Sequence, residues 1–228
     1  KIWSFIKPIV YSYTLQYLFI FIGLLIYVFI KRDMNIFSSW DVMYKYIVIG
    51  IVFTSIPICI YIFKRYKIKE SKIHLSKMLL MIPLGLSMSL FYNMLTINFQ
   101  VNVSTELNIY LLILYLVIVA PIFEEFVFRY LSLRMACDAY SKTKAIIYVS
   151  LAFALMHSGL INMIYAFLIG VLLSYVYLKY KNILYPIILH IAANLMSVCI
   201  NKFNMVYLLI SFIVLLLIII YLRDKETN

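Results

Sequence analysis

Eight apolar runs divide this sequence, most of them about as long as a membrane is thick. They lie at roughly 11–30, 42–63, 78–97, 107–133, 144–157, 160–178, 183–200 and 204–222. A helix crossing the hydrocarbon core needs about 17–25 mostly apolar residues. The fifth run is short and has room to extend in either direction. Composition agrees: 66% of the 228 residues are hydrophobic and 13% charged, against about 45–50% and about 25% in soluble domains. The expectation is an all-α, polytopic membrane protein of about eight transmembrane helices. It forms one integral membrane domain over residues 1–228, with any site inside the helix bundle.

The net charge of +11 is compatible with nucleic-acid binding. Membrane chains, however, gather Lys and Arg in cytoplasmic loops for topological reasons, and no nucleic-acid partner is expected. With the N-terminus inside, 16 of the 20 basic residues fall on the cytoplasmic side, among them the run Lys64–Lys77 (KRYKIKESKIHLSK). The connections at 98–106 and 158–162 carry none. Both termini are therefore expected in the cytoplasm. The basic run reads as a topogenic loop. No segment has the form of a cleaved signal peptide, so the first span is expected to be retained. Cys59, Cys137 and Cys199 show no metal-type spacing and read as ordinary thiols.

Ionisable groups inside spans are costly, about 2.5–3.5 kcal/mol each at mid-membrane by insertion scales, so each one is a functional candidate. The fourth run, which contains Pro121 and is expected to kink there, sets Glu124 beside Glu125 and Arg129 four residues on. Glu125 and Arg129 share a helix face. Glu124 points about 100° away on the same geometry. A structural ion pair for Glu125 and Arg129 thus leaves Glu124 for another task. His157 ends FALMH one helical turn after Phe153, and His190 opens HIAAN one turn before Asn194. Taken alone, His157 reads as an interfacial residue, and His190 with Asn194 as an interhelical hydrogen bond.

Depth brings them together. At about 1.5 Å per residue, Glu124 lies roughly 12–15 Å, His157 roughly 18–20 Å, and His190 and Asn194 roughly 10–17 Å from the inner ends of their spans. A carboxylate, two imidazoles and an amide in overlapping layers suit hydrolysis of a carbonyl compound, most naturally a peptide bond. A carboxylate takes a proton from water, while Asn and His donate to a developing oxyanion.

These residues resemble the CAAX protease and bacteriocin-processing (CPBP, or Abi) family of intramembrane endopeptidases. Its pattern is EExxxR, FxxxH and HxxxN or HxxxD on separate membrane helices. Here it reads Glu124-Glu125-Phe-Val-Phe-Arg129, Phe153-Ala-Leu-Met-His157 and His190-Ile-Ala-Ala-Asn194. The flank NILYPIILH, with Pro186, is also similar, and the likeness covers about residues 107–200. The resemblance implies Glu124 as the base that activates water and His157 as its positioning partner. It implies an oxyanion-binding pair in His190 and Asn194, bracing by Glu125 and Arg129, and packing by Phe153. Zinc stays open as a cofactor, with Glu124, His157 and His190 as the ligand set, although no HExxH is present. The expected substrate is a membrane-associated peptide or protein. Abundant Ile, Lys, Asn and Tyr suggest a bacterial cytoplasmic membrane, and hence peptide, quorum-signal or bacteriocin processing.

Two other classes compete. A non-proteolytic immunity or scaffold protein could use the same polar site for binding, although binding alone does not call for Glu124, His157, His190 and Asn194 together. A transporter would show an inverted repeat and broken helices; only Pro121 points that way. Serine, aspartyl and site-2-type intramembrane proteases are disfavoured by the lack of a GxSx nucleophile, of intramembrane Asp (Asp33, Asp41, Asp138 and Asp224 lie in loops or at ends) and of HExxH.

Overall fold

Helix is the only regular structure in the described part of the computed structural model, residues 1–32, 40–97, 108–200 and 202–224. The expected connection at 98–106 and the loop residue Asp33 lie outside it. The helices are α1 (Ile2–Lys31), α2 (Trp40–Tyr66), α3 (Leu75–Thr96), α4 (Ile109–Ala139), α5 (Lys142–Leu155), α6 (Leu160–Tyr180), α7 (Leu184–Cys199) and α8 (Met205–Asp224). Each overlaps one of the eight apolar runs. The first begins nine residues earlier than its run and carries Pro8 in an early turn. Among the described residues, six helices, α1 to α4, α6 and α8, are long and apolar enough to cross a membrane; α5 and α7 are shorter. The chain is a polytopic membrane protein. In lipid, backbone polar groups must be satisfied within the chain, and helices do this segment by segment.

The helices form two compact units. The first comprises residues 1–69 and 102–139, hence α1, α2 and α4. Within it α1 packs against α2 and the second half of α4, and α2 packs against the first half. Gln16 of α1 donates from Nε2 to Ser55 Oγ of α2 at 2.8 Å in a buried contact, a polar bond of the kind that joins helices where hydrophobic driving force is weak. Close to it, a side chain on Gly50 would strike Ile20.

Pro121 does not break α4. The helix continues through it with wide π-type turns at Leu114–Val119 and Phe126–Leu133. Pro lacks the backbone donor that an α turn needs, and π turns are a known way to absorb an irregularity inside a helix, frequently at functional sites. Ser132 Oγ donates to Val127 O at 2.9 Å, five residues back, which follows the same wide turn.

The second unit comprises residues 70–101 and 140–228, hence α3 and α5 to α8. Within it α3 packs on α7 and α8, α5 on α6, and α6 on α7. Two glycines set the closest approaches. A Cβ at Gly85 would lie 2.2 Å from the Leu189 backbone oxygen and 3.0 Å from Ala192 Cβ. One at Gly170 would lie 3.2 Å from Ser150 Cβ and 3.3 Å from Phe153 Cδ1. Small residues let membrane helices come together at backbone distance. Here they hold α7 against α3 and seat Phe153 of α5 on α6.

Candidate active site

Glu124, Glu125 and Arg129 belong to the first unit. Glu125 and Arg129 are fully buried, and Arg129 Nη1 donates to Glu125 Oε1 at 2.9 Å. The Arg129 guanidinium also sits 5.9 Å from the centre of the Phe128 ring. Burying two ions is expensive, and a bond this close offsets the desolvation; removing one partner would leave the other charge buried and uncompensated. Glu124, the neighbouring residue, stays half-buried. Tyr13, Tyr115 and Arg129 all lie within electrostatic range of its carboxylate. Tyr13 is fixed edge-on against Phe123 at 5.3 Å and Phe128 at 6.4 Å. The i to i+4 spacing read from EExxxR therefore produces the expected split, with one carboxylate sealed in an ion pair and the next partly accessible.

His157, His190 and Asn194 belong to the second unit. His157 does not lie on a helix, contrary to the helical reading of FxxxH. α5 ends at Leu155, and residues 156–159 turn, with Gly159 at φ +82°. The last turn tightens, so that Met156 N–H and His157 N–H donate to Phe153 O and Ala154 O. The imidazole folds back on the helix end, with Nδ1 2.9 Å from Phe153 O. A carbonyl only accepts, so Nδ1 must carry the proton. In the neutral ring Nε2 then holds the lone pair.

Phe153, 1% exposed, stands against both imidazoles, 4.7 Å from the ring of His157 and 5.9 Å from that of His190, edge-on to each. Its role is larger than general packing, because it is the common wall for the two histidines. His190 is buried on α7, and Asn194, half-buried, follows one turn later.

The start of α7 is held by residues that the sequence reading assigned to a topogenic loop. Glu70 Oε2 accepts from Ile183 N–H at 2.8 Å, at the N-terminus of α7 where a carboxylate is favoured by the helix dipole. Asn182 Nδ2 donates to Ser71 O at 2.8 Å, and Ser71 N–H donates to Lys181 O at 2.9 Å. Tyr185 Oη accepts from His74 N–H at 2.9 Å, and the Tyr185 ring stacks on Tyr180 at 4.4 Å. Pro186 falls in the first turn of α7, where its missing donor costs nothing. The single sequence cue was that Glu70 is the sole acidic residue in Lys64–Lys77.

Among the described residues, no group of three or more His, Cys, Asp or Glu side chains could hold a metal ion.

Residues 106–196 match the family described as Type II CAAX prenyl endopeptidase Rce1-like. No curated protein and no solved structure matches the chain. The matched segment contains all seven motif residues, from Glu124 to Asn194. Over residues 106–196, less than half of its length, this integral membrane chain is similar to that family.

Proposed function

We propose that this chain is a CAAX-type membrane protease and hydrolyses a peptide bond with Glu124 as general base. The carboxylate takes a proton from water as the water oxygen attacks the scissile carbonyl. His157, with Nδ1–H committed to the Phe153 carbonyl, offers Nε2 to hold that water. His190 and Asn194 donate hydrogen bonds to the oxygen that gains negative charge, the arrangement that typically contributes most to acyl-transfer catalysis. When the intermediate collapses, the carbon–nitrogen bond breaks and the proton on Glu124 passes to the leaving amine. Water and peptide become a carboxylate and an amine, and Glu124 is regenerated. Glu125 and Arg129 keep Glu124 in register without touching substrate.

The observation that carries this reading is the contrast on one turn of α4. Glu125 is sealed at 0% exposure against Arg129, while the adjacent Glu124 keeps partial access. Zinc bound by Glu124, His157 and His190 is the alternative use of the same side chains, and it would require another base.

The family description names a prenyl endopeptidase. For this chain we favour a membrane-associated peptide or protein precursor in a bacterial cytoplasmic membrane, with both termini in the cytoplasm. The support is composition and the distribution of basic residues. The test is mass spectrometry of secreted and membrane peptides from host cells carrying wild type or Glu124→Gln at equal expression. A terminus made only with wild type supports proteolysis and names a substrate. Identical peptide profiles with a lost cellular phenotype would favour a binding role, and identical profiles with the phenotype retained would mean that Glu124 is not the working residue.

A further inference from the structure

A groove runs along the first unit, at the end where α1 begins and α2 ends. It has a volume of about 390 Å³ and is walled by Pro8, Ser12, Leu15, Ile58, Ile62 and Leu131, with the rings of Tyr11, Tyr61 and Tyr66 along it. Its size falls in the range of small-molecule pockets, about 300–1,000 Å³. Its aliphatic lining suits a hydrocarbon chain. None of the residues proposed for catalysis lines it.

The charge at this end is predominantly basic. The Lys7 ammonium lies 5.4 Å from the centre of the Tyr11 ring, at the groove wall. Lys64 and Arg65 occupy the last turn of α2, beside Tyr66. No acidic residue occurs in 1–32 or 42–69. On α4, Asp138 is offset by Arg134 one turn earlier. Ser12, 7% exposed, lies in the wall five residues beyond Lys7, about 7.5 Å along the axis. Moving along α1, a ligand therefore meets cations, then a hydroxyl, then aliphatic side chains. A phospholipid presents phosphate, ester and acyl chain in that order.

We propose that this groove is a binding site for one anionic phospholipid, with its phosphate at Lys7, Lys64 and Arg65 and an acyl chain along Leu15, Ile58 and Leu131. Anionic headgroups are attracted to basic residues beside a membrane helix. A neutral lipid, or a second copy of this highly basic chain, would leave those cations without a partner. The site stands apart from the catalytic reading.

Trp3, 57% exposed and one turn before Lys7, is a built-in reporter. The full chain carrying Trp40→Phe is placed in vesicles in which brominated phosphatidylglycerol or brominated phosphatidylcholine replaces the host lipid stepwise. Quenching of Trp3 by phosphatidylglycerol should occur at a mole fraction about fivefold lower than by phosphatidylcholine. That preference should vanish in Lys7→Gln, which removes charge, and in Thr14→Phe, which narrows the groove because Thr14 also lines it. Circular dichroism and melting should be unchanged, and Leu15→Phe serves if Thr14→Phe does not fold. Equal quenching by the two lipids would overturn the proposal. So would a preference that survives the groove-filling variant, since surface charge alone would then explain it. A groove-filling variant that abolishes quenching by both lipids, with Lys7→Gln silent, would also overturn it by indicating a neutral occupant.

Discussion

Gly85→Ala should damage hydrolysis more than it damages folding. The added methyl would lie 2.2 Å from the backbone oxygen of Leu189, 3.0 Å from Ala192 Cβ and 3.1 Å from Ala193 N. Carbon to carbonyl-oxygen contacts normally sit at about 3.3–3.6 Å, so α3 and α7 must separate by about 1 Å. No rotamer change can relieve the clash, because the closest atom is backbone. Leu189 is bonded directly to His190, and Asn194 follows one turn later on the same helix, so both proposed oxyanion donors move with α7. Overpacking costs about 1–3 kcal/mol in stability, whereas misplacing catalytic groups by 1 Å can cost about 100-fold in rate. The assay pairs thermal melting with peptide hydrolysis in proteoliposomes, at a temperature where the variant is folded. Gly23→Ala is the control, since a Cβ there meets nothing within 4 Å. Wild-type rate and melting for Gly85→Ala would refute the claim that the α3–α7 approach sets the position of His190.

Arg129→Met should lower stability by about 3–5 kcal/mol by leaving Glu125 buried without its cation, and Glu125→Leu added to it should restore much of that loss. Thermal melting separates this from Glu124→Gln, which should melt near wild type while losing activity. Phe153→Ala removes the wall shared by two imidazoles and should cost about 3–5 kcal/mol, read by melting, with activity lost as well. Glu70→Ala removes an acceptor from the N-terminus of α7 and should cost about 1–3 kcal/mol. It should lower kcat more than it raises KM, and Glu70→Gln, which keeps an acceptor oxygen, should rescue both. Chelator treatment of purified protein should leave the rate unchanged under the glutamate mechanism. Loss of activity restored by zinc would favour the metal alternative.

The helical architecture was legible because lipid imposes a length and an apolar composition on any span, and each of the eight runs became a helix. The ion pair of Glu125 and Arg129 was legible for a similar reason, since i, i+4 spacing fixes a shared face. His157 was not. Its FxxxH spacing fits a continuous helix equally well, but the chain turns after Leu155 toward Gly159, and the imidazole reaches Phe153 O by folding back. The depth estimate for His157 carried that assumption. A kink was expected at Pro121, and π turns on either side of it let α4 continue. The clasp of Glu70, Ser71 and His74 on the start of α7 joins residues more than 100 positions apart. Such pairing leaves no periodic trace, and a run of lysines masks the one carboxylate that matters.

The most direct measurement is peptide-bond hydrolysis by purified protein in proteoliposomes, with a precursor identified from host cells, comparing wild type, Glu124→Gln and Glu124→Asp. The account predicts a single new amine terminus with wild type, its loss by orders of magnitude in the folded Gln variant, and partial retention in Asp, which keeps a carboxylate. Full activity in Glu124→Gln would contradict it, because the amide cannot take the proton from water.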